Sequence, residues 1–243
     1  MTTSPDNKSD ETIALPTRRA SGLTQPSLSA GRLLAGRFKI VRFLARGGMG
    51  EVYEAEDLEL GEHVALKTVR SDVGWGEQTL ARFKQEIHLA RKVTHPNVCR
   101  IFDVFHHIES SEGGPGEKIT FLSMELLTGE TLTERLRRTG PMTPSEARPL
   151  VRQMVAALAA AHKAGVIHRD FKSSNVILVP SGEGDRNIRV VVTDFGLARS
   201  SIGNQDLTIA LSNPGEVRGT PAYMAPEQIA GEEITAAVDI YAL

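Results

Sequence analysis

Short stretches rich in β-branched and aromatic residues occupy the first half of the chain and predict strands. The predicted strands cover residues 38–44, 51–55, 63–69, 98–105 and 119–126. The first two strands are separated by a glycine cluster, which predicts a hairpin with a glycine-rich turn. The last two are separated by residues 110–116, whose turn composition predicts a hairpin with a long, exposed loop.

Helical periodicity interrupts the strand pattern at residues 77–93. The apolar residues there define one face directed at the sheet: Leu80, Phe83, Ile87 and Ala90. His95-Pro96-Asn97 is expected to end this helix.

A second helix is predicted after Thr143-Pro144-Ser145-Glu146, which has the pattern of a capping box with proline at the first helical position. Gly165 is expected to close it. The apolar residues at helical spacing predict burial on one side: Leu150, Val151, Met154, Val155, Leu158 and Ala161. This helix leads directly into the segment that carries the candidate chemistry.

Candidate functional side chains cluster in His168-Arg169-Asp170-Phe171-Lys172-Ser173-Ser174-Asn175. A strand-like run at 190–193 then leads to Asp194-Phe195-Gly196, so a hairpin returns a second carboxylate beside the first. The polar loop at 180–187 is expected to be a surface excursion without function. A single Asp or Asn in a loop is most often a turn residue, but five residues that match one known family motif in register favour a functional site.

These motifs resemble the catalytic loop and metal-binding triplet of serine/threonine protein kinases, in particular the eukaryotic-like kinases of bacteria. The glycine turn and Val64-Ala65-Leu66-Lys67 fit the same pattern, although Ala45 stands where the family has its first glycine. The resemblance extends over residues 38–243. It implies an α+β, two-lobed fold with a small antiparallel-sheet lobe and a helical large lobe.

The resemblance also implies a domain organisation. Residues 1–36 are Ser/Thr-rich without apolar periodicity and are expected to be a disordered tail. Residues 37–127 would form the small lobe and hinge, and residues 128–243 the large lobe. Asp239 matches the residue that braces the catalytic-loop backbone, and the chain stops soon after it. The large lobe is therefore expected to be incomplete at its C-terminus, with lower stability and activity than a longer version.

The family pattern implies a role for each catalytic and metal-binding candidate. Asp170 would orient the substrate hydroxyl as a base, and Lys172 accompanies Ser/Thr specificity. Lys67 would hold the ATP phosphates with Glu86 as its partner on the first helix, although a strand lysine is usually solvated and Glu86 could be a surface carboxylate. Asn175 and Asp194 would bind Mg²⁺.

The resemblance implies a nucleotide site in the hinge and glycine-rich turn. Backbone at Gly47, Gly48 and Gly50 would approach the phosphates, although many hairpins carry such glycines. Met124 would be the gatekeeper, and the backbone of Glu125 and Leu127 would face the adenine edge. The apolar residues expected to enclose the base are Val52, Ala65 and Ile177.

Residues 200–227 resemble an activation segment that ends in Ala225-Pro226-Glu227. Arg169 resembles the arginine that grips a phosphorylated residue of this segment. Candidate phosphorylation sites are Ser200, Ser201, Thr208 and Ser212, and the pattern favours none of them. Thr220 is expected to contact the catalytic loop and substrate.

Composition also bears on nucleic-acid binding, disulfide formation and membrane insertion. The 243 residues are 40% hydrophobic with a net charge of -2, which suggests no nucleic-acid partner. A single cysteine, Cys99, excludes an intrachain disulfide and is expected to be a small buried hydrophobe. No window has the composition of a membrane span or signal peptide, so a cytoplasmic location is expected.

Three functions are compatible with these features. The first is phosphoryl transfer from Mg-ATP to Ser/Thr hydroxyls of proteins, including autophosphorylation within a homodimer. The second is a non-catalytic nucleotide- or partner-binding module, because the large lobe is expected to be truncated. The third, a small-molecule phosphotransferase, is disfavoured by Lys172 and by Ala225-Pro226-Glu227.

Overall fold

A computed structural model describes six ranges of the chain: 26–47, 50–69, 77–109, 118–181, 187–195 and 221–243. Within these ranges the elements form a small lobe built on one antiparallel sheet and a large lobe of helices with a second, smaller sheet. No helix in the described ranges has the length and apolar character needed to cross a lipid bilayer.

The small lobe contains a six-stranded antiparallel sheet with the order β1-β2-β3-β4-β6-β5. Its strands are β1 (Leu33–Leu34), β2 (Phe38–Gly47), β3 (Gly50–Asp57), β4 (Glu62–Val69), β5 (Ile101–Ile108) and β6 (Lys118–Met124). The predicted glycine-rich hairpin is confirmed as β2–β3, in which Gly47 pairs with Gly50. The predicted hairpin of the last two strands is confirmed as β5–β6.

Strand alternation determines which side chains form the core of this lobe. Tyr53, Ala55, Val64 and Leu66 are buried on one face of β3 and β4. Phe38 of β2 joins the same core, and buried apolar residues of the other strands complete it. The intervening residues of β3 and β4 therefore face the other side of the sheet.

Order begins earlier in the chain than predicted. Residues 26–36 were expected to belong to a disordered tail, but Leu28 and Leu34 are buried in the small-lobe core and β1 pairs with β2. The stretch is too short to show a periodic pattern, and its two leucines stabilise it through tertiary burial. Residues 1–25 lie outside the described ranges.

Helix α1 (Glu77–Ala90) is shorter than predicted and ends three residues before Val93. Ile87 and Ala90 are buried, in agreement with the predicted apolar face, whereas the side chains of Leu80 and Phe83 lie outside the described part. Strand β5 also begins later than predicted. Residues at 98–99 pair instead with the large lobe, since the Cys99 N–H donates to the Val192 carbonyl at 2.9 Å.

The large lobe begins with β7 (Glu130–Thr131) and α2 (Leu132–Thr139), followed by α3 (Pro144–Lys163). Strands β8 (Val176–Pro180) and β9 (Ile188–Val192) form an antiparallel sheet with β7, and α4 (Pro226–Ala230) and α5 (Ala237–Tyr241) follow. The predicted capping box at the start of α3 is confirmed, because Thr143 and Glu146 cap each other's backbone N–H.

The predicted apolar face of α3 is wrong in two positions. Leu150, Met154 and Leu158 are buried, but Val151 is 40% exposed and Val155 is 43% exposed. Each valine follows a buried residue by one position and so lies about 100° around the helix from it. The buried stripe packs on β8 and β9, which places the end of α3 directly before the segment 168–175 that carries the candidate functional residues.

Candidate active site

Lys67 lies on the face of β4 that turns away from the small-lobe core. Its cross-strand partner is Val52, and Ala65 precedes it by two residues, so alternation places all three on one face. Lys67 is 5% exposed, and its Nζ lies 2.7 Å from Oδ2 of Asp194. This ion pair joins the small lobe to the large lobe.

Asp194 follows β9 with a left-handed backbone conformation, φ 67°. Such a conformation costs a non-glycine residue about 1–3 kcal/mol and is found preferentially at functional sites. Burial acts to raise the pKa of Asp194, but the charge and hydrogen bond of Lys67 outweigh it, so the pKa is lowered and the carboxylate is ionised.

The carboxylate of Asp170 is fixed by its neighbours in the loop that follows α3. Lys172 Nζ donates to Oδ1 at 3.0 Å and to Oδ2 at 2.7 Å. Asn175 Nδ2 donates to the Asp170 carbonyl at 2.8 Å, which also orients the amide oxygen of Asn175. The loop therefore holds one carboxylate, one ammonium and one amide together.

His168 connects this loop to β9. It is fully buried; its Nε2–H donates to the Thr193 carbonyl at 2.8 Å and its Nδ1 accepts from the Asp170 N–H at 3.3 Å. Burial lowers the pKa of His168 and favours this neutral tautomer. The ring thus links the residue before Asp194 to the backbone of Asp170.

Asp239 on α5 holds the backbone of the same loop through hydrogen bonds. It is 1% exposed, and its two carboxylate oxygens each accept a backbone N–H at 2.8 Å, from His168 and from Arg169. His162 on α3 donates a third hydrogen bond, at 2.7 Å. Arg169 has φ 66°, so these bonds hold the loop in a conformation that a non-glycine residue rarely adopts.

Glu86 on α1 and Lys67 were expected to form an ion pair. In the structure Lys67 pairs with Asp194, and Glu86 pairs with Arg169, whose Nη1 lies 2.9 Å from Oε1. The helix carboxylate is therefore joined to the arginine of the loop that follows α3. Sequence spacing could not distinguish these partners, because both cations approach α1 only through the tertiary fold.

The candidate adenine-site residues lie where β6 enters the hinge. Met124 pairs with Ala65 across β4 and β6. The Glu125 N–H donates to the Arg100 carbonyl at 2.9 Å, so this N–H is not available to a nucleotide. Leu127 is half-buried in the hinge, and Ile177 is half-buried on β8 of the second sheet.

The chain matches the protein kinase domain over residues 38–243. This chain belongs to the protein kinase family. The α+β, two-lobed fold predicted from the motifs is therefore confirmed.

Several bacterial kinases are similar in sequence. The chain is 36% identical to the serine/threonine-protein kinase PknA of Mycobacterium tuberculosis over 88% of this chain and 46% of PknA. It is 39% identical to the serine/threonine-protein kinase pkn2 of Myxococcus xanthus over 86% of this chain and 23% of pkn2. It thus spans less than half the length of these relatives. A solved structure of the Mycobacterium tuberculosis PknI kinase domain, the C20A_R136N double mutant, matches with a TM-score of 0.66 and 25% identity over 89% of this chain and 75% of that one.

The donor set fits the Mg²⁺ ion that protein kinases use with ATP. Asp194 and Asn175 offer a carboxylate and an amide oxygen, and Mg²⁺ usually takes one or two such protein oxygens together with water and substrate phosphates. The described residues contain no group of three or more His, Cys, Asp or Glu side chains arranged to hold a metal ion by themselves. Phosphate oxygens would complete the coordination of a kinase metal here.

Several predicted kinase residues lie outside the described ranges. These are Gly48 of the glycine-rich turn, Gly196, and the activation-segment candidates Ser200, Ser201, Thr208, Ser212 and Thr220.

Sequence reasoning missed two described side chains near the site. Glu51 is a buried carboxylate beside Gly50, and Arg189 on β9 forms an ion pair with Glu125 of the hinge. The sequence signal for Glu51 was a charge inside a predicted strand, and that for Arg189 was a charge directly before the strand-like run at 190–193.

Gly50 gives a steric prediction for the glycine-rich turn. Its φ is 148°, and a Cβ there would lie 1.9 Å from the Thr68 carbonyl oxygen. We expect Gly50→Ala to lower the free energy of unfolding, measured by urea denaturation, by at least about 1–3 kcal/mol. Gly61→Ala is the matched control, because Gly61 has φ 68° but nothing within 4 Å of its Cβ position. Equal losses in both variants would show that the clash at Gly50 does not occur.

Proposed function

We propose that this chain transfers the γ-phosphoryl group of Mg-ATP to serine and threonine hydroxyls of proteins, including its own. The observation that carries the proposal is the arrangement around Asp170. Its carboxylate is held by Lys172 within a loop fixed by Asp239, while Lys67 and Asp194 meet at the junction of the two lobes. The names of the bacterial relatives support the same activity.

Each group then has a step to perform. Asp170 accepts a hydrogen bond from the substrate hydroxyl and orients its oxygen toward the γ-phosphorus. It takes the proton as the new O–P bond forms and the bond from the γ-phosphorus to the β–γ bridging oxygen breaks, with ADP as the leaving group. Lys67 holds the phosphates, with its ammonium already buried at the site. Lys172 stays beside the Asp170 carboxylate and neutralises charge on the transferring group.

Asn175 and Asp194 would hold the metal, with their oxygens facing the phosphates. Mg²⁺ supplies charge neutralisation on the phosphate oxygens. Gly47, Gly48 and Gly50 would bring backbone close to the phosphates. Val52, Ala65 and Met124 would line the base from the small lobe, with the Leu127 backbone and the Glu125 carbonyl at its edge. Ile177 would close the base from the large lobe.

Glu86 would act as a movable partner in this proposal. A pairing of Glu86 with Lys67 during turnover requires Arg169 to give up the Glu86 carboxylate. A phosphorylated residue of the activation segment would attract Arg169 and favour that exchange. Trans-autophosphorylation within a homodimer would supply the phosphate, and its rate would then rise with protein concentration.

Nucleotide titration combined with a transfer assay tests the proposal against a binding module without turnover. The titration follows Mg-ATP binding to the chain, and the assay follows radiolabelled phosphate moving from ATP to a generic basic protein and to the chain itself. Binding together with Mg²⁺-dependent transfer supports the kinase proposal. If the chain binds Mg-ATP but transfers no phosphate at any Mg²⁺ concentration tested, the result would support the binding module instead.

Lys67→Met is expected to lower the transfer rate by roughly a hundredfold or more, because the phosphates lose the buried cation that holds them. Lys39→Met is the control, since Lys39 is an exposed strand lysine. The thermal midpoints of both variants are measured to confirm folding. A Lys67→Met variant that transfers phosphate as fast as Lys39→Met would remove Lys67 from the mechanism.

A further inference from the structure

Residues 26–34 form a strap that runs along the outside of the small lobe. Leu28 and Leu34 anchor it in the core, at 4% and 0% exposure. At its far end the Arg32 side chain reaches Glu109 after β5, with 2.8 Å between Nη2 and Oε1. The strap therefore spans the lobe from β5 to the glycine-rich hairpin.

The end of the strap is tied to Glu51, the residue after Gly50. The Ser27 N–H donates to Glu51 Oε2 at 3.0 Å. Arg46 Nε donates to Oε1 of the same carboxylate at 2.9 Å, and Arg46 is the cross-strand partner of Glu51 in the β2–β3 hairpin. One carboxylate thus joins the strap to both strands that carry the glycine-rich turn.

Tyr53 makes a second tie in the same cluster. It is fully buried; its hydroxyl donates to Glu51 and accepts the Leu28 N–H at 3.1 Å. Burial acts to raise the pKa of Glu51, but hydrogen bonds from Tyr53, Ser27 and Arg46 outweigh it and lower the pKa to about 2. Glu51 is 6% exposed, so the strap contributes to keeping a buried charge satisfied.

Glu51 also reaches the strand that bears Lys67. Its N–H donates to Thr68 Oγ1 at 3.0 Å, and the Thr68 carbonyl is the atom that packs against Gly50. A shift of Glu51 therefore moves the hairpin backbone at Gly50 relative to β4. The glycine-rich turn and the strand that bears Lys67 are therefore both connected to this one residue, the turn through its side chain and the strand through its backbone.

We propose that the strap clamps the glycine-rich hairpin through Glu51, which is a positioning residue for the nucleotide, and that a negative charge at Ser27 releases the clamp. The nucleotide part of this inference rests on the proposed function, whereas the strap-to-hairpin coupling does not. Ser27 is exposed, and both its backbone N–H and its side chain form hydrogen bonds with Glu51, so a group added at this side chain would lie against that carboxylate. An added carboxylate there would repel the ionised Glu51.

The test is a double-mutant cycle in the full chain. Ser27→Asp adds the charge, Ser27→Asn is its neutral match, and Glu51→Gln removes the charge that it meets. We expect Ser27→Asp to raise the Kd for Mg-ATP about threefold to tenfold and Ser27→Asn to change it less than twofold. In the Glu51→Gln background the difference between Asp and Asn at position 27 should disappear.

Hydrogen exchange of the backbone amides at 46–52 gives a readout that does not depend on nucleotide or turnover. Ser27→Asp should accelerate exchange there relative to Ser27→Asn, and Glu51→Gln should abolish that difference. Equal exchange in Ser27→Asp and Ser27→Asn, or a difference that persists in the Glu51→Gln background, would overturn the clamp. If exchange responds as expected but the chain transfers no phosphate, the proposed function fails while the clamp stands. If exchange responds but the Kd for Mg-ATP does not, Glu51 has no role in positioning the nucleotide.

Discussion

We expect Asp170→Asn to lower the rate of phosphate transfer by roughly 10² to 10⁴-fold, the range for loss of a positioned general base. The substitution keeps the size of the side chain, so packing is preserved. It removes the carboxylate that Lys172 and Asn175 hold in place and that we propose as the proton acceptor. The measurement is the initial rate of radiolabelled phosphate incorporation into a basic protein at saturating Mg-ATP.

The control for this variant is Asp103→Asn. Asp103 is an aspartate on β5 whose side chain is 51% exposed and pairs with Arg91 at the surface. It should retain the parent rate, because it lies far from the catalytic loop in the chain and exposed ion pairs contribute little. Asp170→Asn with the rate of Asp103→Asn would show that Asp170 does not serve as the base.

Asp239→Ala should cause the largest loss of stability, about 3–5 kcal/mol in the free energy of unfolding. The variant leaves two backbone N–H groups and His162 without their buried acceptor. It also releases Arg169 from the bond that holds its left-handed conformation. The measurement is urea denaturation followed by circular dichroism.

Asp239→Asn separates the effect on stability from the effect on the placement of the loop that carries Asp170. The amide keeps one acceptor oxygen but loses the charge. We expect a smaller loss of stability and a transfer rate between those of the parent and Asp239→Ala. Asp57→Ala is a comparison in the small lobe, where a buried aspartate accepts a bidentate bond from Arg37. If Asp239→Ala unfolded at the parent's urea concentration, the bracing role of Asp239 would be refuted.

Local sequence patterns predicted the helices and strands well where interactions between residues close in the chain determine the structure. The capping box at Thr143 and Glu146 starts α3 as expected, because the two side chains satisfy backbone groups within one turn. The glycine cluster predicted the β2–β3 hairpin, because only glycine fits at Gly50 against the Thr68 carbonyl. Motif spacing also identified Asp170, Asn175 and Asp194 as one set.

Long-range packing determined what the sequence could not. The strap at 26–34 has too few apolar residues to show a period, yet Leu28 and Leu34 are buried by strands that follow later in the chain. Glu86 sits at the predicted position, but its ion pair with Arg169 depends on how α1 lies against the large lobe. Exposure of Val151 and Val155 depends equally on which α3 face meets β8 and β9.

Whether this chain phosphorylates serine and threonine is tested most directly by identifying the phosphorylated side chains after incubation with Mg-ATP and a protein substrate. Mass spectrometry of the parent chain's reaction should find phosphate on serine and threonine, with Mg²⁺ required. The Asp170→Asn reaction, run in parallel, should leave these residues unmodified. Equal serine and threonine phosphorylation in the parent and Asp170→Asn reactions, or none in the parent while nucleotide binds, would contradict the assignment of this site to protein phosphoryl transfer.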